Sequence, residues 1–446
     1  MKLKLIGLLV SLAMVVAPAG FAATDIEIET AIADGVAWLA AQQTAGGNWP
    51  HSSYPVATTC FALTKLQERA HELGYPSPFD PAYDYSQNVI DGWEYIFDVS
   101  RTVVELPLDV QDHTAGVTGT MDNPDVNGNG YGIYFQDVNP NHNNYINGVC
   151  LMALWASGTP SRPNDGGLDY NADSSPDTFL EIAQEAVEYL AWSQNDGGVG
   201  EGSLTYLPSD NVPGDAYDGS IGGYAALGLA MGELFGATVP AWVKVEMEHA
   251  FNNMQCLTPG PQYGGMSYRS YCSWVNEYKT GHLLWGLAFA GVAQSDQRFQ
   301  DALAYIEANW RQSNWDPGWG YNMTVSDYQA MFVLMKGFLA TGIDLIDTDG
   351  DTARDDDWFN QEPPLTPADD FASVIVAQQL ADGSWPSCNW GTPELCTTWA
   401  LLTLERGVPE FEPDYTPVPT LSYWAYAVLA GLFVLLAYVG MRRRYS

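Results

Sequence analysis

Between residues 24 and 408 two hydrophobic patterns alternate along the chain. In segments near 28–43, 84–98, 176–194, 239–256, 297–312 and 367–380 the apolar residues recur at helical spacing, as in Phe299, Leu303, Ile306 and Trp310, and leave a polar face. Those six segments read as helices half-exposed to water. Each is followed by a segment that is apolar nearly all round, near 55–68, 144–157, 219–235, 275–293, 326–341 and 394–406. Several of these are rich in Gly and Ala, such as GGYAALGLAMGEL and LLWGLAFAGVA. A helix that is apolar on every face is buried on every face. Six half-exposed helices alternating with six buried ones predict an outer ring around an inner ring. The expected fold is all-α, a six-hairpin (α/α) toroid spanning about residues 24–408.

The turns between paired helices repeat as well. AWLAAQQTAGGNWP precedes VATTCFALTKLQE near the start, and SVIVAQQLADGSWP precedes ELCTTWALLTLE near the end. In both, Trp lies six residues after the second Gln, Gln43 to Trp49 and Gln379 to Trp385. Weaker copies stand at SQNDGGVG, at QCLTPGPQYGG from Gln255 and at QSNWDPGWGYN from Gln312. The first and last copies are the most alike. That favours a closed ring over an open solenoid, whose terminal hairpins would need polar caps. The Q-x-x-x-G-x-W spacing resembles the repeat of the prenyltransferase and squalene cyclase superfamily over roughly residues 28–406. The resemblance implies a terpenoid cyclase-like or protein prenyltransferase-like toroid. The same spacing has a direct physical sense: Gln satisfies backbone groups at a helix end, Gly permits the turn, and Trp packs onto the next hairpin.

Both ends of the chain read as addresses. Residues 1–22 carry Lys2 and Lys4, an apolar run from Leu5 to Val16, and Gly20-Phe21-Ala22 as a small-residue cleavage site, the form of a secretory signal peptide. At the other end an acidic, Pro-rich linker (409–417) leads to 20 residues without formal charge, Leu421 to Gly440, and then to Arg442, Arg443 and Arg444. That run is long enough to cross ~30 Å of hydrocarbon, with the arginines on the cytoplasmic side. The order Val418-Pro419-Thr420-Leu421-Ser422-Tyr423-Trp424, apolar span, Arg cluster resembles the IPTL-type C-terminal sorting signal of Gram-negative bacteria, covering 418–446. Val418 stands where Ile is usual and Tyr423 where Glu is common. The resemblance implies attachment to the cytoplasmic membrane through the C-terminal helix and handling by an exosortase-like sorting protease. The body is then expected on the periplasmic side of the membrane or at the cell surface.

Charge narrows the list of partners. Setting aside the five cations of the end segments leaves 12 of the 17 basic residues against all 54 acidic ones. Such a surface repels phosphate backbones, so nucleic acid is excluded as a partner, and no nucleotide cofactor is expected. Six cysteines in an exported chain read as disulfides. Cys256 with Cys272 and Cys388 with Cys396 look like local staples, while Cys60 and Cys150 either pair or remain buried thiols.

The loops that join outer to inner helices open on one face, where the positive ends of the inner helices surround a mouth. With 13% aromatic residues, a glycan or lipid-like ligand is the expected occupant, and Trp49, Tyr54, Trp319, Trp385 and Trp399 are the expected aromatic lining. Among the polar residues at inner-helix starts, Asp218, Glu277, His282, Asp327 and Tyr145 are the candidates for catalysis, with Asp218 and Asp327 reading as helix caps first. An enzyme of cyclase-like type, or a glycan lyase or hydrolase using the same cavity, is the alternative. However, the D-x-D-D acid of class II terpene cyclases is absent. Tyr271-Cys272 with His282 is only a faint likeness of a prenyltransferase zinc site, for want of an Asp. His51 to Tyr54 and His142 to Tyr145 offer base-like residue types at the mouth. Calcium is the metal candidate. Asp125-Val126-Asn127-Gly128-Asn129-Gly130 matches the opening of an EF-hand loop, with Asp125, Asn127 and Asn129 as ligands and Asp122 and Asp137 near enough to add charge. Asp169–Asp173 and the cluster Asp347, Asp349 and Asp351 are lesser matches.

Overall fold

The computed structural model describes residues 22–98, 103–107, 111–112, 121–141, 143–169, 174–195, 200–207, 217–311, 318–322, 324–361 and 369–407, with backbone alone for 103–122. The chain divides into two units, 1–408 and 409–446, and the described residues all lie in the first. The signal peptide and the apolar segment 421–440 fall outside the described residues. Among those described, no helix is long and apolar enough to cross a membrane.

Twelve helices are described. The outer set is α1 (Asp25–Ala41), α3 (Ser86–Ile96), α5 (Phe179–Trp192), α7 (Ala241–Met254), α9 (Gln297–Asn309) and α11 (Phe371–Gln378). The inner set is α2 (Pro55–Glu72), α4 (Asn143–Ala156), α6 (Gly219–Phe235), α8 (Glu277–Phe289), α10 (Tyr328–Thr341) and α12 (Pro393–Glu405). Each inner helix packs against the next, α2 on α4, α4 on α6, and so on to α12, which returns to α2. The inner ring is closed. Side chains are buried round most of each inner helix, as the absence of a polar face requires.

The repeated turn is the clamp that holds this ring. Gln43 Nε2 donates to the carbonyl of Gly47 (2.7 Å) in its own turn and to that of Asn88 (2.9 Å) on the next outer helix. Gln194 repeats the pattern with Gly202 and Val243, and Gln255 with Gly264 and Arg298. Gln379 does so with Gly383 and Ala31, which carries the pattern from the last hairpin back to the first. Each of the four glycines has positive φ (+76° to +91°) and lies against a backbone carbonyl of the following outer helix. A Cβ on Gly202 would stand 1.9 Å from the carbonyl oxygen of Glu246. Only glycine permits both the conformation and the approach.

The fold is not purely helical. Val103–Pro107 pairs antiparallel with Tyr131–Phe135, Val103 opposite Phe135, inside the long connection from α3 to α4. Two-residue pairs at Gln111–Asp112 with Met121–Asp122 and at Leu345–Ile346 with Asp356–Asp357 complete six short strands. A connection of that length must satisfy its own backbone groups, and a strand pair does so. Three disulfides are formed: Cys60–Cys150 ties α2 to α4, and Cys256–Cys272 and Cys388–Cys396 close loops on the face where inner helices begin.

Candidate functional site

The middle of the ring is filled. Phe61 on α2 meets Tyr224 on α6, Phe332 on α10 and Trp399 on α12 edge-on, with centroids 6.0, 6.1 and 5.7 Å away, and Tyr145 on α4 at 6.5 Å. His282 on α8 packs against Tyr224 (4.8 Å) and Tyr278 (5.0 Å). Residues of alternate helices can touch only across the axis, so all six inner helices contribute to one aromatic plug.

Above the plug, among the inner-helix starts, lies a cavity of about 370 Å³. Its floor and walls include Tyr145, Tyr278, Trp399 and Tyr54, and its rim Tyr206, Tyr268, Trp274 and Trp390. Ser220, Asn276, Gln329 and Asn389 add neutral polar groups. Among the described residues on this wall the charged ones are Lys279 and Asp327. Arg269 stands beside the rim, 5.2 and 5.1 Å from the ring centres of Tyr206 and Tyr268, and pairs with Asp218 at 3.1 Å. The Tyr206 and Tyr268 hydroxyls meet at 3.2 Å, and Tyr268 stacks on Trp274.

Two rim residues share an unusual setting. Trp274 follows Cys272 by two positions and Trp390 follows Cys388 by two, so each indole stands next to a disulfide, Trp390 inside its closed loop and Trp274 just beyond the other. Both have left-handed backbone, φ +53° and +62°, and both are exposed, 51% and 83%. A bulky residue in that region of φ/ψ is strained, and such strain concentrates where a side chain is held for a ligand.

The sequence candidates separate in the structure. Tyr54, Tyr145, Asp327 and Trp399 line the cavity. Asp218 caps α6 through the N–H groups of Ser220 and Ile221 and sits beside the rim arginine. Glu277 and His282 do not reach the cavity. Glu277 is buried, accepts from the Trp319 N–H (2.8 Å) and is held well above the usual carboxylate range by burial. His282 lies in the plug, where burial pushes it down to about 3, so it is neutral. Trp49, Trp319 and Trp385 are likewise corrected: they are structural. Trp49 donates to the Leu39 carbonyl and Trp385 to that of Ile375, both at 2.7 Å. Trp319 packs against Trp310 and Phe371. All three are fully buried between helices. His51 accepts from the Ser53 and Tyr54 N–H groups, an ordinary turn, and His142 lies outside the described residues. The sequence reading missed Trp274 and Trp390, though the twice-occurring Cys-x-Trp could have pointed to them.

Asp327 caps α10 through the Ala330 N–H (3.1 Å) and accepts from Asn389 (3.4 Å). Burial pushes its carboxyl up to about 7. A carboxyl raised in the folded state favours folding only while protonated. Its contribution is full below about pH 4 and is lost as pH rises to about 7. Asp327→Asn keeps the cap and removes the titration. The stability of the variant relative to wild type, from urea melts, is expected to rise between pH 4 and pH 8 by about 2–4 kcal/mol, from roughly 3 units at 1.36 kcal/mol each with a discount for relaxation. A pH-independent difference would contradict this.

The calcium candidates are also placed. Asp125 accepts from the Gly128 and Gly130 N–H groups, Asn127 Oδ1 from Asn129 and Asn129 Oδ1 from Tyr131. The loop lies on Glu185 and Glu188 of α5. Asp137 is elsewhere: it caps α2 through Val56 and Ala57, 2.8 and 3.0 Å away, and the Asp122 side chain is outside the description. At the third cluster Asp356, in place of Asp351, joins Asp347 and Asp349, with ligand oxygens within 4.8 Å. Residues 170–173 of the second fall outside the described residues.

Residues 416–443 match the IPTL-CTERM motif. Among curated proteins none matches the chain. Among solved structures, a variant of the type II terpene cyclase MstE from Scytonema, in complex with its substrate geranylgeranyl dihydroxybenzoate, is similar over 85% of this chain and 97% of that one, with 11% identity and a TM-score of 0.43. Fold and tail together define a helical double ring that carries a surface-sorting motif, and the three disulfides fit a location outside the cytoplasm.

Proposed function

We propose that this is an exported, surface-sorted binding protein whose mouth holds a glycan. The observation that carries the reading is the pair of exposed indoles, Trp274 and Trp390, each held in left-handed backbone two residues after a disulfide cysteine and beside the cavity. Flat aromatic faces stack on the apolar faces of sugar rings, while Ser220, Asn276, Gln329 and Asn389 supply hydrogen-bonding groups for hydroxyls. The aromatic plug occupies the centre where an isoprenoid chain would have to enter. Among the described residues the wall carries a single carboxylate, Asp327, whereas glycoside hydrolysis needs a pair. Both features weigh against the cyclase and hydrolase alternatives. Tethering through residues 421–440 after export under the N-terminal signal belongs to the same proposal.

The test is tryptophan fluorescence of the full chain titrated with neutral oligosaccharides (cello-, malto- and chito-hexaose) and, separately, with farnesol. At least one oligosaccharide is expected to change emission saturably, and Trp390→Ala and Trp274→Ala each to weaken it about tenfold or more, near 1.4 kcal/mol. Saturable binding of farnesol alone, or oligosaccharide binding indifferent to both substitutions, would overturn the glycan reading.

A further inference from the structure

Glu185 and Glu188 stand three residues apart on α5, the one 3% exposed and the other 0%. On an outer helix such a pair would normally face water. Here the loop 125–130 lies over them. Glu185 Oε1 accepts from the side-chain amides of both Asn127 (2.6 Å) and Asn129 (2.7 Å). Glu188 Oε1 accepts from the Val126 and Asn127 N–H groups, each at 3.0 Å, and from Gln184 at 3.1 Å. Their second oxygens, Glu185 Oε2 and Glu188 Oε2, are buried and have no hydrogen-bond partner. Among the described residues no Lys, Arg or His is within ion-pair distance of either glutamate. Instead Asp125 and Asp177 add to the negative field at Glu185. Two buried carboxylates one turn apart, each with an orphaned oxygen, are costly unless protons or a counter-charge neutralise them, and a bound cation would do so without giving up the charged form.

We propose that loop 125–130 and α5 together form a calcium site, with Asp125, Asn127 and Asn129 supplying loop oxygens and Glu185 and Glu188 supplying carboxylates. The donors are all oxygens, which selects a hard cation over zinc or copper. Rotating the two Asn amides by half a turn replaces their NH₂ groups with Oδ1 on the side facing the glutamates, in exchange for the bonds that Oδ1 accepts from the Asn129 and Tyr131 N–H groups. Three loop oxygens and two bidentate carboxylates then give about seven ligands, within the six to eight that calcium takes and more than magnesium accepts. The glutamates come from a helix some 60 residues away, in place of the acidic twelfth residue of an EF-hand loop, where this chain has Gln136. The site would act on the mouth through the chain. From the loop, the strand Tyr131–Phe135 leads to Asp137, which caps α2, and to Asn139, whose amide donates to the Tyr54 hydroxyl (3.1 Å) on the cavity wall.

The test uses the full chain stripped with EDTA. Tyr134 and Tyr189, stacked 5.1 Å apart beside the loop, should sensitise terbium bound there. Terbium emission excited through tyrosine is expected to appear and to be displaced by calcium, with half-saturation on the order of 10⁻⁴–10⁻³ M, typical of extracellular modules. Glu185→Gln with Glu188→Gln should lower calcium affinity at least tenfold, while its melting temperature in EDTA equals or exceeds that of wild type, because the like charges are gone. Asn127→Ala, which leaves the buried glutamates in place, should weaken calcium if the double variant fails to fold. Asp347→Asn with Asp349→Asn should leave the terbium signal unchanged. Calcium affinity unchanged in the glutamate and Asn127 variants, absence of terbium emission from wild type, or an equal rise in melting temperature with magnesium would each overturn the proposal.

Discussion

Gly148→Ala is expected to abolish the folded state, although an Ala in a helix is ordinarily better than Gly by about 1 kcal/mol. At this position α4 and α6 touch backbone to backbone. A Cβ on Gly148 would stand 2.2 Å from the carbonyl oxygen of Tyr224, and one on Gly228 would stand 2.4 Å from the Cα of Gly148. Neither helix can retreat, because each is packed on both sides within the inner ring and α4 is also tied to α2 by Cys60–Cys150. Contact wins over propensity, and the loss should exceed about 4 kcal/mol, the range reserved for overpacked cores and buried charges. Soluble yield and a denaturant melt would measure it. Gly222→Ala in α6 is the internal control. Its Cβ would meet only the Met254 methyl at 3.9 Å, so it should be neutral or gain a few tenths to about 1 kcal/mol. Equal behaviour of the two variants would refute the close-approach argument.

The second large effect lies at the opposite end of the inner helices from the cavity. Lys65 on α2 is fully buried and pairs with Glu405 on α12. Lys336 on α10 reaches Glu68 at 3.8 Å, and Arg69 bonds Glu29 and Glu72. Burial pushes Lys65 down to about 7 and Glu68 up, so each group depends on its neighbours to stay charged. Lys65→Met leaves Glu405 with Arg69 at 3.9 Å as its remaining ion-pair partner and should cost about 3 kcal/mol. Adding Glu405→Leu should recover most of that, since a well-packed apolar pair is often as stable as a buried ion pair. A double-mutant cycle by urea unfolding checks both statements. A double variant as unstable as the single one would show that packing, rather than the weakly paired charge, is responsible.

The alternation of helices was legible because burial leaves a periodic trace on an outer helix and erases it on an inner one. The same erasure hid the site. With α2, α4 and α10 buried nearly all round, nothing in sequence says that Phe61, Tyr145 and Phe332 face the axis. Nor does it say that Trp49 and Trp385 turn away from the axis to bond carbonyls of their own outer helices. Glu185 and Glu188 carried the pattern of a solvated face, and it is the loop from a distant part of the chain that buries them. The local loops were easier: Cys256–Cys272 and Cys388–Cys396 are 16 and 8 residues apart, and short closures leave few choices. The strand pair at Val103 and Phe135 spans a long loop and left no comparable trace.

The seam of the ring governs how the protein comes to be folded. Ala23 bonds Ser373 and Asn360, Ala31 accepts from Gln379, and Lys65 pairs with Glu405, contacts that join positions 337 to 350 apart. The first hairpin is therefore made early in synthesis and completed last. Until the final helix emerges, α1 and α2 have one flank with nothing to pack against. Helices form in microseconds, but closing so long a loop waits on chain diffusion and carries an entropy that grows as the logarithm of its length. Closing the ring thus requires the first and last hairpins to meet, and the chain stays open at its seam until they find each other.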